Sequence, residues 1–130
     1  MITCTFSTLK APYSIVQLAP QAFPSWVTNA GPFVSITLSS DELSIVCVSQ
    51  AVPDGVVADH GWRCIKLRGP FAFDQVGILA SIANPLAAKS IAIFAVSTFD
   101  TDYILIKEAN LQSAIHALRD AGHDYAGHQD

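Results

Sequence analysis

Through most of the chain, short apolar runs alternate with polar or Pro/Gly breaks, a pattern that predicts strands joined by turns. Residues 12–19, PYSIVQLA, predict a strand. Residues 21–29, QAFPSWVTN, allow at most two helical turns, because Pro24 is tolerated only at an early helical position. Residues 33–49, FVSITLSSDELSIVCVS, form two β-rich runs hinged at Ser39 to Glu42, the pattern of a hairpin. The periodicity then breaks across SQAVPDGVVADHG, where Pro-Asp-Gly is a turn signal, and a unit boundary near residues 51–60 follows.

Beyond it, GWRCIKLRG predicts a strand. FDQVGILASIANPLAAK carries Val76, Leu79, Ile82, Ala83 and Leu86 at helical spacing, with Asp74 as N-cap and Pro85 removing one backbone donor. SIAIFAVS and DYILIKE predict two more strands. NLQSAIHALRDAG predicts a helix capped by Asn110, with Leu111, Ala114, Ile115 and Leu118 on one face and Gly122 closing it. The tail from His123 is expected to fray.

ITLSSDELSIV in the first half parallels FAVSTFDTDYILI in the second: a strand, a Ser-Ser or Ser-Thr pair, an acidic turn and a strand. The element order is β-α-β-β followed by β-α-β-β-α. This predicts an α+β fold in which the ferredoxin-like split βαβ plan is written twice, with antiparallel sheets and helices packed on one face. Residues 1–56 are expected to form an incomplete N-terminal unit and residues 57–130 a C-terminal one.

Composition narrows the function classes. With 130 residues, 51% of them apolar and only 14% charged, the chain can bury a sizeable core without staples. Its mean hydropathy of +0.38 predicts apolar surface covered by a second copy, a homo-oligomer and most simply a dimer. A formal charge of -4 and scattered Lys and Arg give no basic stripe, so nucleic acid is not an expected partner. Neither a leader segment nor an apolar run of membrane-spanning length is evident, and the chain reads as soluble and cytoplasmic, with no membrane partner. Cys4, Cys47 and Cys64, odd in number and widely spaced, predict core residues rather than disulfides or zinc ligands.

Two carboxylates, Asp100 and Asp102, interrupt the strand-rich stretch AVSTFDTDYILI. Turn residues, a metal site, an acid/base pair and the wall of a cation-holding pocket are all open readings. A calcium loop would need a glycine at its sharp turn and a closing glutamate, and both are missing. No nucleophile or base stands at a spacing that would make the pair catalytic. His116 is placed on a solvent-facing helix position, His60 in the linker, and His123 and His128 in the tail. No two share a helix face at i, i+4. Ser39, Ser40, Ser97 and Thr98 lack a nucleophile elbow and read as strand-end hydrogen-bonding groups. No catalytic residue, metal or cofactor is therefore expected.

Binding remains. Asp74, Gln75, Val76 and Gly77 lie where a strand passes into a helix, and the free amides of a helix N-terminus suit a carboxylate. Gly77 allows either close backbone approach to a ligand or tight helix-to-sheet packing. If the second hairpin opens on the same side, Asp102 offers a cation site opposite those donors. That polarity fits a free amino acid.

The stretch FDQVGILASIANPLAAKSIAIFAVSTFDTDYILIKEANL resembles the ACT domain family of small-molecule regulatory modules, through its Asp-x-x-Gly-Ile-Leu loop together with Ser-Thr-Phe-x-x-Asp. More narrowly, residues 13–122 resemble the stand-alone tandem ACT proteins similar to CASTOR-type arginine sensors. The resemblance implies a tandem ACT pair with amino-acid ligands at an interface between ACT units. It implies ligand contacts from the loop by Ala72, Gln75 and Ile78, and from the strand end by Thr98, Phe99 and Asp102, the last facing a cation. The CASTOR-type pattern has Gly at the position of Ala72 and an acidic residue at that of Gln75, so the resemblance does not carry a preference for arginine. Val76 replaces a common Pro, and Ser90 stands where Gly usually closes the helix. The expected ligand-binding set is Ala72, Asp74, Gln75, Gly77, Ile78, Thr98, Phe99 and Asp102. The expected function is that of a non-enzymatic amino-acid sensor or, alternatively, a dimerisation module without a ligand.

Overall fold

The structure, a computed structural model, describes residues 2–129. In chain order its elements are β1 (Thr5–Leu9), β2 (Tyr13–Leu18), β3 (Ser35–Leu38), β4 (Leu43–Val48), β5 (Ala58–Leu67), α1 (Ile78–Ala88), β6 (Phe94–Ser97), β7 (Asp102–Lys107), α2 (Leu111–Asp120) and β8 (Asp124–Gln129). Short 3-10 turns occupy Ser25–Asn29, Ser49–Ala51 and Glu108–Asn110. The chain divides into two compact units. One holds residues 2–10 and 63–129, the other residues 11–62.

In the larger unit the strand order is β6-β7-β5-β1-β8. The N-terminal strand β1 lies antiparallel to β5, with Phe6 opposite Leu67, and parallel to β8, with Phe6 opposite Tyr125. The sheet is therefore mixed. Both helices cover one face of it: Ile78, Ile82 and Leu86 of α1 and Leu111, Ala114, Ile115 and Leu118 of α2 join Phe6, Ile65, Leu67, Ile104 and Ile106 in one core. This is the ferredoxin-like α+β arrangement that the repeated strand and helix pattern predicts.

The described part of the tail, residues 123–129, does not fray. It forms β8, and Phe6 and Tyr125 stack with ring centroids 5.1 Å apart. An extra residue in β8 between the positions facing Phe6 and Thr8 makes a bulge, and Gly127 supplies the positive φ of 87° there. β1 escapes a hydropathy reading because a buried position is filled by Thr8. Its hydroxyl is satisfied by Tyr125 Oη at 2.9 Å and His128 Nδ1 at 2.7 Å.

Each helix of this unit ends in a Schellman closure. After α2, Gly122 N–H donates to the Arg119 carbonyl and His123 N–H to that of Leu118, both at 3.0 Å, with Gly122 at φ 99°. After α1 the same two bonds run from Ser90 to Ala87 and from Ile91 to Leu86. Here the left-handed residue is Ser90, at φ 58°, which no glycine relieves. Ser90→Gly is expected to raise stability by about 1 kcal/mol in denaturant melts, because it removes that steric cost.

The smaller unit is an antiparallel sheet ordered β3-β4-β2-β5. Its core is Val16, Val27, Ala30, Leu43, Ile45 and Cys47. The stretch expected to be helical forms only the 3-10 turn Ser25–Asn29, preceded by Pro24 in an extended conformation.

All three cysteines are buried and free. Burial pushes the Cys47 thiol up to about 11 and that of Cys64 up to about 12, so both stay protonated small core residues. Among the described residues, no helix is long and apolar enough to cross a membrane, and no His/Cys/Asp/Glu group could hold a metal.

Candidate functional site

The site is built where the loop after β5 meets the β6–β7 turn. Phe71 N–H donates to the Asp100 carbonyl at 2.8 Å, and the buried Thr101 hydroxyl donates to the Leu67 carbonyl at 2.8 Å. Gly69 permits this contact: a Cβ there would lie 2.5 Å from the Asp100 carbonyl oxygen. The two walls are thus joined by backbone before any ligand arrives.

The third wall is the start of α1. Asp74 does not cap this helix. The chain passes through an exposed turn, with Gln75 N–H bonded to the Ala72 carbonyl at 3.1 Å, and the helix begins only after Gly77, which takes φ 90°. The capping sequence signal at Asp74 is overridden because the left-handed conformation of Gly77 resets the chain direction three residues later. Among the described residues, no side chain caps the helix. Ser81 N–H reaches the Gly77 carbonyl, whereas the amides of Ile78, Leu79 and Ala80 precede the first intrahelical bond and are available to an acceptor.

Together these elements border an open surface cavity of about 350 Å³ lined by residues 71–73, 75, 77–80 and 97–102, most of them solvent-exposed. Of the sequence-predicted set, Ala72, Gln75, Gly77, Ile78, Thr98, Phe99 and Asp102 lie on its wall, whereas Asp74 sits on the turn outside it. The predicted set left out Phe71, Phe73, Leu79, Ala80, Ser97, Asp100 and Thr101, which also line the cavity. Ser97 was findable by counting the hairpin, since it faces Asp102 directly across the pair.

Among the described residues, the ionisable side chains on the wall are Asp100 and Asp102. Ser97 Oγ donates to Asp102 Oδ1, which fixes a half-buried carboxylate at the strand end. Asp100 is exposed and joins the walls through its backbone carbonyl. At the mouth, Phe73 and Phe99 meet edge to face, centroids 4.7 Å apart, yet remain 77% and 78% exposed.

The duplicated hairpin shows what is special about Asp102. In the first copy Leu38 faces Leu43, and Ser39 N–H bonds to the Glu42 carbonyl at 3.0 Å. In the second, Ser97 faces Asp102, and Thr98 N–H bonds to the Thr101 carbonyl at 2.8 Å. The turns match, but Leu43 is fully buried in an apolar core where the second copy places a carboxylate. A further cavity of about 440 Å³, beside Thr5, Ser7, Lys66, Arg68 and Gln129, lies on strands β1, β5 and β8.

The larger unit is thus a ferredoxin-like α+β fold with an open pocket between α1 and the β6–β7 turn. The sequence profile of the ACT domain matches residues 57–120, and a separate profile, described as an N-terminal domain, matches residues 11–55. The chain belongs to the ACT domain family. It is 30% identical over 127 residues to the Pongo abelii protein named cytosolic arginine sensor for mTORC1 subunit 1, covering 92% of this chain and 37% of that protein. The chain thus spans little more than a third of that relative's length. A crystal structure of an Agrobacterium tumefaciens protein superposes with a TM-score of 0.92 at 40% identity, covering 100% of this chain and 97% of the other. The regulatory subunit of aspartate kinase from Thermus thermophilus shares the fold at a TM-score of 0.61 and 9% identity, over 86% and 93% of the two chains.

Proposed function

We propose that the chain is a non-enzymatic regulatory module that binds a free amino acid in the cavity between α1 and the β6–β7 turn. One observation carries this reading: uncapped helix N-terminal amides and a fixed carboxylate, Asp102, border the same cavity, and no cationic side chain stands among its described lining residues. The α-carboxylate would sit on the amides of Ile78, Leu79 and Ala80, and the cationic group would face Asp102. Ala72, Gln75, Gly77, Thr98 and Phe99 complete the contacts, and Asp74 stays outside them. The Ser97 hydroxyl is bonded to the Asp102 carboxylate, but no basic side chain stands among the described lining residues to complete a catalytic set, and the lining favours reversible binding over turnover. The arginine sensor and the kinase regulatory subunit, by their names, are regulatory proteins, which supports the same role here.

The signal would pass through an interface between ACT units, with homodimer formation, because Phe73, Val76 and Phe99 leave apolar surface beside the pocket mouth. Those exposed rings also favour a second reading, in which the patch serves dimerisation alone. A thermal-shift screen against the twenty amino acids separates the two. A ligand at a hundred times its Kd stabilises the fold by about 2.7 kcal/mol, so a selective rise in Tm for one or a few amino acids is expected. A flat panel at millimolar concentrations leaves dimerisation as the function.

A further inference from the structure

Pro85 lies inside α1 and has no amide hydrogen, so the carbonyl four residues earlier, that of Ser81, loses its helical donor. In α1 that carbonyl is not left bare. His123 Nε2 lies 2.9 Å from Ser81 O, and because a carbonyl only accepts, the imidazole donates. Its other nitrogen, Nδ1, accepts from the Cys4 amide at 3.0 Å. A donor demanded on one side and an acceptor on the other fix the neutral Nε2–H tautomer.

The ring that makes these bonds is held from several directions. His123 is only 4% exposed, and its backbone is fixed by the Schellman closure of α2. The segment it reads, residues 2–4, runs past both helix ends: Ile2 Cδ1 would lie 3.2 Å from a Cβ on Gly77, and Thr3 Cγ2 3.3 Å from one on Gly122. Asp124 N–H closes the frame on the Cys4 carbonyl at 2.9 Å. His123 therefore links α2, the segment leading into β1 and the second turn of α1. That turn follows directly on the amides that line the cavity.

We propose that His123 is the positioning residue of α1: it stands in for the donor that Pro85 removes and so holds the helix end that forms one wall of the candidate site. A proline in that helix is tolerated because a side chain from elsewhere in the chain supplies the missing bond. The consequence for ligand rests on the functional reading above, whereas the consequence for α1 does not.

The test compares the full chain with His123→Ala, Pro85→Ala and the double variant, reading amide hydrogen exchange along α1. His123→Ala is expected to speed exchange at the bonded amides of Ser81, Ile82, Ala83 and Asn84 by about 10- to 100-fold, because a part-buried carbonyl and a buried amide both lose partners. Pro85→Ala alone should change little. In the His123→Ala background it should recover much of the lost protection, since the new alanine amide can reach Ser81. An equal effect of His123→Ala with proline or alanine at position 85 overturns the assignment. If His123→Ala fails to fold, His123→Leu, which removes both ring nitrogens while filling the buried space, carries the same comparison.

Imidazole 15N spectra of the parent protein should show an unprotonated Nδ1 and a protonated Nε2, and the opposite tautomer overturns the proposal without any variant. Affinity for whichever amino acid the thermal screen selects should fall and recover in the same order. If no amino acid binds the parent protein, the functional reading fails, and the exchange and 15N results still decide the role of His123.

Discussion

Replacing Asp102 by Asn is expected to weaken amino-acid binding by about 10- to 100-fold while moving Tm by less than about 1 °C. The substitution keeps the size of the side chain and still accepts the Ser97 hydroxyl, so only the negative charge leaves the cavity. A hydrogen bond to a charged partner contributes about 1.5–3 kcal/mol, which is the stated range in affinity. Asp100→Asn is the internal control. That side chain is exposed, and the residue's structural work is done by its carbonyl, so affinity should change by less than about twofold. Isothermal titration of both variants checks the pair. Equal losses would mean that the cavity attracts a cation by general charge, and an unchanged Asp102→Asn variant would remove Asp102 from the site.

The second large effect is expected at Gly69, which does not touch the proposed ligand. An alanine Cβ there would meet the Asp100 carbonyl oxygen at 2.5 Å and Thr101 Cβ at 3.1 Å. The oxygen belongs to the backbone and also accepts the Phe71 amide, so no rotamer change relieves the contact. Relief requires the loop after β5 to part from the β6–β7 turn, which breaks the clamp between two walls of the cavity. The expected cost is about 1–3 kcal/mol, seen as a fall in Tm of roughly 5–10 °C, with a larger proportional loss of amino-acid affinity. A Gly69→Ala protein that melts within a degree of the parent would show that the two walls are not held this closely.

Elements whose packing is local were legible in the sequence. The α2 face of Leu111, Ala114, Ile115 and Leu118 is buried as its spacing predicts, and both hairpins close where their Ser/Thr and Asp residues fall. Elements decided by distant partners were not. β8, sequence DYAGHQ, has little hydropathy of its own and exists because β1 pairs with it from the other end of the chain. His123 read as a tail residue because nothing nearby in sequence shows that Cys4 and Ser81 need it. Pro85 was visible as a missing donor, but the group replacing it lies 38 residues away along the chain (123 − 85).

The candidate site divides along the same line. Phe99 and Asp102 belong to a short turn whose register can be counted, and the cavity includes both. Asp74 satisfied a local capping rule that the positive φ of Gly77 overrode. Val76 fitted the helical spacing yet lies before the helix and is exposed. Phe71 and Phe73 carried no motif, since their place on the wall follows from how the loop is clamped to Asp100 and Thr101.

The most direct test of the central claim is a 1H–15N spectrum of the labelled protein titrated with each of the twenty amino acids. The account predicts saturable shifts for a selected amino acid, concentrated in the amides of residues 77–80 and 97–102, with Ile78, Leu79 and Ala80 moving most as their free N–H groups meet a carboxylate. Shifts centred instead on Thr5, Ser7, Lys66 and Arg68, or a spectrum unmoved by every amino acid at millimolar concentration, would contradict it.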